Sequence, residues 1–195
     1  MNIIASRVIN GLIFAITLAL VIRCFRRDGR WSLKSGRAAF RFFTVQSNVL
    51  CAVAALLMCV APTRGWAWVL KYVGTAAVSV TMMTVLLFLG PSMGGYGLLL
   101  KGADFFMHLL TPLLAILSFC LFERQGMRFA TALWGMLPVA LYGTWYLYKV
   151  VCAPRGKRWD DFYGFNKGGR WPIAFAGMML GGFAICMALM ALQNA

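Results

Sequence analysis

Six apolar stretches of about twenty residues constrain this chain more than any other feature: 3–22, 39–61, 68–90, 104–122, 129–151 and 172–192. A helix that crosses a bilayer needs about 20 largely apolar residues, within a range of roughly 17–25. Every stretch falls inside that range. Lipid offers the backbone no hydrogen-bond partners, so a crossing segment must satisfy its own peptide groups. The stretches are continuous and lack the alternation of a barrel strand, which makes them helices. The expected fold is an all-α integral membrane protein in which residues 1–195 form one transmembrane domain, a six-transmembrane-helix bundle. Composition agrees. Apolar residues make up 62% and charged residues 12%, against roughly 45–50% and about 25% in soluble domains. A globule of this size buries only about 70% of its unfolded surface, so lipid has to cover the remainder.

The formal charge of +14 comes from 19 Lys/Arg against 5 Asp/Glu. In a soluble chain it would suggest a nucleic-acid binder. Here most cations stand in short gaps between apolar stretches, which leaves no polar surface for nucleic acid. The first, third and fifth gaps hold Arg23, Arg26, Arg27, Arg30, Lys34, Arg37, Lys101, Arg155, Lys157, Arg158, Lys167 and Arg170. The second and fourth hold only Arg64, Arg124 and Arg128. The positive-inside rule then places the odd-numbered loops in the cytoplasm and both termini outside a cell membrane. Expected partners are membrane lipids, with anionic headgroups on the basic loops, above all Arg23 through Arg37. Trp66, Trp68, Trp159 and Trp171 fall at span ends, as an interfacial aromatic belt requires. The first stretch is longer than a signal-peptide core and lacks a small-residue cleavage site, so it is expected to stay on the chain. Six scattered cysteines without C-x-x-C spacing and a single histidine offer no metal-ligand set. No cofactor is expected.

Polar residues inside spans are costly and mark either interhelical contacts or a site. Thr44, Ser47, Asn48 and Cys51 stand at i, i+3, i+4 and i+7 in the second stretch, one stripe of one helix. Asp104, His108, Thr111, Pro112, Ala115 and Ser118 form a similar stripe in the fourth. Tyr142, Trp145, Tyr146 and Lys149 form a third in the fifth. Together with Gln46, these stripes are candidates to line one cavity. Thr44 lies five residues into its span and His108 four into its own; at about 1.5 Å per residue their depths differ by roughly 2 Å. A hydroxyl and an imidazole at equal depth make a candidate nucleophile–base pair. The spacing equally allows a threonine bonded to its own helix and a histidine that bridges two helices. Asp104 is either a third member that orients His108 or, preferably, the N-cap of its helix. Asn48 and Ser47 are candidate oxyanion donors. The Gly177-x-x-x-Gly181-Gly182 face suggests close packing within the bundle. Pro112 and Pro138 are expected to loosen their helices. The loop from Trp159 to Asn166 is a candidate cover for the cavity mouth.

The runs Phe42-Phe43-Thr44-Val45-Gln46-Ser47-Asn48-Val49-Leu50 and His108-Leu-Leu-Thr-Pro112-Leu resemble the bacterial Pr6Pr membrane protein family. That family is similar to the eukaryotic androgen-induced and androgen-dependent six-pass membrane proteins. The resemblance implies six passes along nearly the whole chain and an intramembrane hydrolase of lipid fatty acyl esters, with Thr44 as nucleophile and His108 as base. Gln46-Ser47-Asn48 resembles the bacterial branch, so substrate preference does not transfer. A lipid acyltransferase with the same pair, a small-molecule or lipid transporter, and a non-catalytic scaffold are the alternatives.

Overall fold

A computed structural model describes residues 1–92, 94–97 and 99–195. Among the described residues five helices are long and apolar enough to cross a membrane: α1 (Ile3–Cys24), α3 (Phe43–Val60), α4 (Gly65–Ser92), α5 (Ala103–Phe122) and α8 (Trp171–Asn194). The fifth expected stretch is helical but is not one regular helix. It runs α6 (Phe129–Leu133), a 3-10 turn Trp134–Met136, α7 (Leu137–Leu147) and a π turn Tyr148–Cys152. Proline explains much of this irregularity. Pro138 has no N–H to give the Trp134 carbonyl, and the tighter turn falls there. Pro91 follows a π turn at Val85–Leu89, and Pro112 follows one at Phe106–Leu110.

The second expected stretch begins later than its apolarity suggested. A short helix α2 (Leu33–Ala39) ends before Phe40, and α3 starts at Phe43. Thr44 therefore lies one residue into α3 and not five. The first basic gap also departs from a plain loop: β1 (Arg26–Arg27) pairs antiparallel with β2 (Arg30–Trp31). Asp28 and Gly29 both take positive φ, at 52° and 76°, the backbone that a two-residue hairpin turn needs.

α4 is the central helix. It packs on α3 and α5 and touches α8, while α3 also packs along α1. The α3–α4 approach is close: a Cβ on Gly74 would lie 2.8 Å from the Cys51 Cα. One core gathers Met58, Tyr72, Phe119, Cys186 and Leu189, and a second gathers Ile13, Cys51, Ala55, Val78 and Ala115. Trp68 belongs to the first core, not to the interface. It is 5% exposed, and its indole N–H donates to the Glu123 carbonyl at 2.7 Å. The outer surface is apolar, with Ile4, Val60, Ile173 and Leu180 largely exposed, as a lipid-facing surface must be. Gly177 and Gly181 have open space beside them: among the described residues a Cβ on either would meet no atom within 4 Å. Of that triplet Gly182 alone is buried, against Met136 and Val139.

Candidate functional site

His108 sits in the middle of the π turn that precedes Pro112. Pro112 cannot donate to the His108 carbonyl, four residues back, and the ladder widens there. The imidazole is almost fully buried and held at both nitrogens. Its Nδ1 lies 2.6 Å from the Leu99 carbonyl. Its Nε2 lies 3.3 Å from the Thr44 Oγ1. A carbonyl only accepts, so Nδ1 carries the hydrogen. In the neutral ring the Nε2 lone pair then faces the threonine hydroxyl, which donates to it. The chain's only histidine thus presents its basic nitrogen to Thr44, in the first turn of α3.

Asn48 holds this geometry in place. Its Nδ2 donates to the Thr44 carbonyl at 2.8 Å and to the Met107 carbonyl at 3.0 Å. One amide therefore ties the Thr44 turn to the residue before His108. Both of its N–H groups are engaged, so Asn48 has none to offer an oxyanion. Ser47 is likewise occupied: it shares a 2.8 Å hydrogen bond with Thr81 and lies 3.1 Å from the Thr44 carbonyl. Helix geometry thus turns the donors of both oxyanion candidates back onto the backbone and toward α4.

The other candidates divide. Asp104 is exposed and is not a cap; Gly102 is the N-cap residue and Asp104 stands in the first turn. The π turn adds a residue to the i, i+4 register, which takes Asp104 off the His108 stripe, and the Leu99 carbonyl orients the ring instead. Gln46 donates to the Phe40 carbonyl at 2.8 Å and ties the α2–α3 turn, not a cavity wall. Thr111 is fully buried, and its hydroxyl has no partner among the described residues. Tyr142 and Tyr146 are buried, with Tyr142 donating to the Arg41 carbonyl at 2.8 Å. Trp145 is 49% exposed. It stacks on Tyr148 with Lys149 over its face, and so belongs to the outer surface and not to a cavity.

The aromatic loop covers the Thr44 end of the bundle. The Asp161 carboxylate accepts from the Tyr146 hydroxyl at 2.8 Å and from the Phe165 and Asn166 amides at 3.0 and 2.7 Å. This collar presents Tyr163, whose hydroxyl accepts the otherwise unpaired Phe43 N–H at 3.0 Å. Burial pushes the Tyr163 phenol up, opposed by the Phe43 N–H that it accepts, and so the phenol keeps its proton near neutrality. Phe43, Thr44, Thr81, Thr84, Tyr142 and Tyr163 line a cavity of about 30 Å³, room enough for a water molecule. Beside it, sharing Val80, Thr84, Phe165 and Met178 as walls, a groove of about 630 Å³ opens between α4 and α8.

A second polar cluster escaped the reading of the sequence. Lys71 and Glu123 are both 0% exposed. Lys71 Nζ donates to Asn10 Oδ1 at 2.7 Å, while Asn10 Nδ2 donates to Glu123 Oε1. Ser6 and Ser118 donate to the same carboxylate oxygen at 2.8 and 2.6 Å. The signal was present in α1, where Ser6, Asn10 and Thr17 share the buried face. It was hidden by the overall apolarity of that stretch and by a lone lysine inside the next one but one. Among the described residues no group of three or more His, Cys, Asp or Glu stands close enough to hold a metal ion.

Comparison of the chain with protein-family profiles, curated proteins and solved structures finds no match.

Proposed function

We propose that this protein is a six-pass intramembrane hydrolase of lipid acyl esters, with Thr44 as nucleophile and His108 as base. The observation that carries the reading is the Thr44–His108 contact of 3.3 Å with the Leu99 carbonyl behind the ring. This is the arrangement of an activated hydroxyl: a nucleophile, a base within reach and a third group that orients the base. The resemblance of both motifs to the Pr6Pr proteins supports the same assignment. In this reading residues 129–152 are the fifth of the six passes, despite their irregular turns. The odd-numbered loops face the cytoplasm.

The ester carbonyl carbon is attacked by Thr44 Oγ1 as its proton passes to His108 Nε2. The resulting oxyanion is met by the Tyr163 hydroxyl and by the Thr44 and Val45 N–H groups in the first turn of α3, which have no intrahelical partners. Tyr163 thus acts as an oxyanion donor, while Asn48, whose N–H groups are engaged, acts as a positioning residue. The ester C–O bond breaks, and the alcohol leaves with the proton from Nε2. Water then adds to the acyl-threonine with His108 again as base, releasing the fatty acid and restoring the hydroxyl. The Asp161 collar keeps bulk water from the site, which strengthens each of these interactions.

Labelling of the purified protein with a long-chain fluorophosphonate tests this. The expected result is an adduct on Thr44 that is lost in both Thr44→Ala and His108→Ala. Esterase turnover retained by folded Thr44→Ala overturns the assignment.

A further inference from the structure

We infer that the groove between α4 and α8 is a binding site for an anionic phospholipid, with one acyl chain along the groove and the phosphate on Lys167 and Arg170. The groove goes beyond the hydrolase reading and does not depend on it. Its volume of about 630 Å³ lies in the range of ligand sites, roughly 300–1,000 Å³. Leu87 and Phe88 form one wall and Ile173 and Ile185 the other, with Gly177 and Gly181 as the floor. Among the described residues no atom fills that floor, in contrast to Gly74, where the neighbouring backbone sits in contact.

Length and charge select the occupant. From Ile173 to Ile185 the wall rises about 18 Å, a little over half of a hydrocarbon core of about 30 Å. That is the depth of one leaflet, which suits an acyl chain and falls short of a whole transmembrane helix from another protein. Lys167 and Arg170 line the end of the groove at the basic face. Neither has a carboxylate within ion-pairing distance among the described residues, where the one ion pair is Arg27–Asp28. The N-terminus of the 24-residue α8 points the same way, adding positive potential there. A second copy seated symmetrically on this face would set the same cations against each other. A phosphate neutralises them.

The test is native mass spectrometry of delipidated, detergent-purified protein given equimolar palmitoyl-oleoyl phosphatidylglycerol and phosphatidylcholine. Two basic side chains near a headgroup predict a preference for phosphatidylglycerol of about 30-fold. Lys167→Gln with Arg170→Gln should bring the two lipids close to parity. Gly177→Leu and Gly181→Leu fill the groove and should reduce retention of both lipids at a melting temperature no lower than that of the wild type. Equal retention of the two lipids by the wild type overturns the inference. So does a Gly181→Leu protein that retains phosphatidylglycerol but loses a dimer, which would make the groove a contact between copies.

Discussion

Replacing Asn10 with Leu removes the bridge between two fully buried charges at little change in volume. The Asn10 amide donates to the Ser6 carbonyl at 2.9 Å, to the Ser6 hydroxyl at 3.2 Å and to Glu123, and its carbonyl accepts from Lys71 at 2.7 Å. No other acceptor meets the Lys71 ammonium among the described residues. The substitution therefore strands a buried cation, which costs about 3–5 kcal/mol, a large share of a typical stability of roughly 5–15 kcal/mol. Lys71→Met alone leaves the Asn10 carbonyl unsatisfied, a loss of about 1–3 kcal/mol. In the double variant neither the stranded cation nor the orphan carbonyl remains. It should fall short of the wild type by no more than about 2 kcal/mol, for the weakened Glu123 contacts alone. The singles would then be coupled by at least about 2 kcal/mol. Unfolding midpoints in mixed detergent, measured for all four proteins, give the cycle. Additive losses would refute the reasoning, since they would mean that Lys71 draws its stabilisation from something other than Asn10.

Three further outcomes test the site and its frame. Asn48→Ala removes the hydrogen bond that joins α3 to the His108 turn at Met107, together with the one to Thr44 within α3, and should cost about 2 kcal/mol. Its turnover should fall more than tenfold while substrate KM stays near wild type, as befits a positioning residue; paired unfolding and kinetic measurements check both. Tyr163→Phe keeps the ring in the collar but removes the hydroxyl. A kcat reduced on the order of 100-fold with little change in KM, from steady-state kinetics on a chromogenic lipid ester, is expected for an oxyanion donor. Gly74→Ala forces a Cβ to 2.8 Å from the α3 backbone and should destabilise by about 1–3 kcal/mol. Gly177→Ala meets nothing and should gain up to about 1 kcal/mol in helix propensity. Thermal unfolding of the two proteins side by side distinguishes the tight crossing from the open groove.

Helicity was legible in the sequence because it follows from local composition: a long apolar run has to satisfy its own backbone. The inward stripe of α3 was legible for the same reason. Helical periodicity put Ser47, Asn48 and Cys51 on one face, and all three are buried. Proline positions likewise foretold where the helices become irregular. Periodicity failed where the backbone left the regular helix. The π turn before Pro112 moved Asp104 off the His108 stripe, and a break after Ala39 shortened the second span. It also cannot tell which of two polar faces a donor serves, and the donors of Asn48 and Ser47 are already engaged by backbone carbonyls and Thr81.

The sequence by itself determined the apolarity of the long segments, their helical state and the asymmetry of their basic loops, all properties of residues near one another in the chain. Tertiary structure decided what depends on which helices are neighbours. It set Thr44 3.3 Å from His108 across 64 positions of sequence. It joined Lys71 to Glu123 through Asn10, and it placed Trp68 in the core but Trp145 outside. It also left Gly177 and Gly181 without a packing partner among the described residues. Such contacts arise when helices choose one packing among many, and that choice is made by side-chain shape and buried hydrogen bonds that no single segment contains.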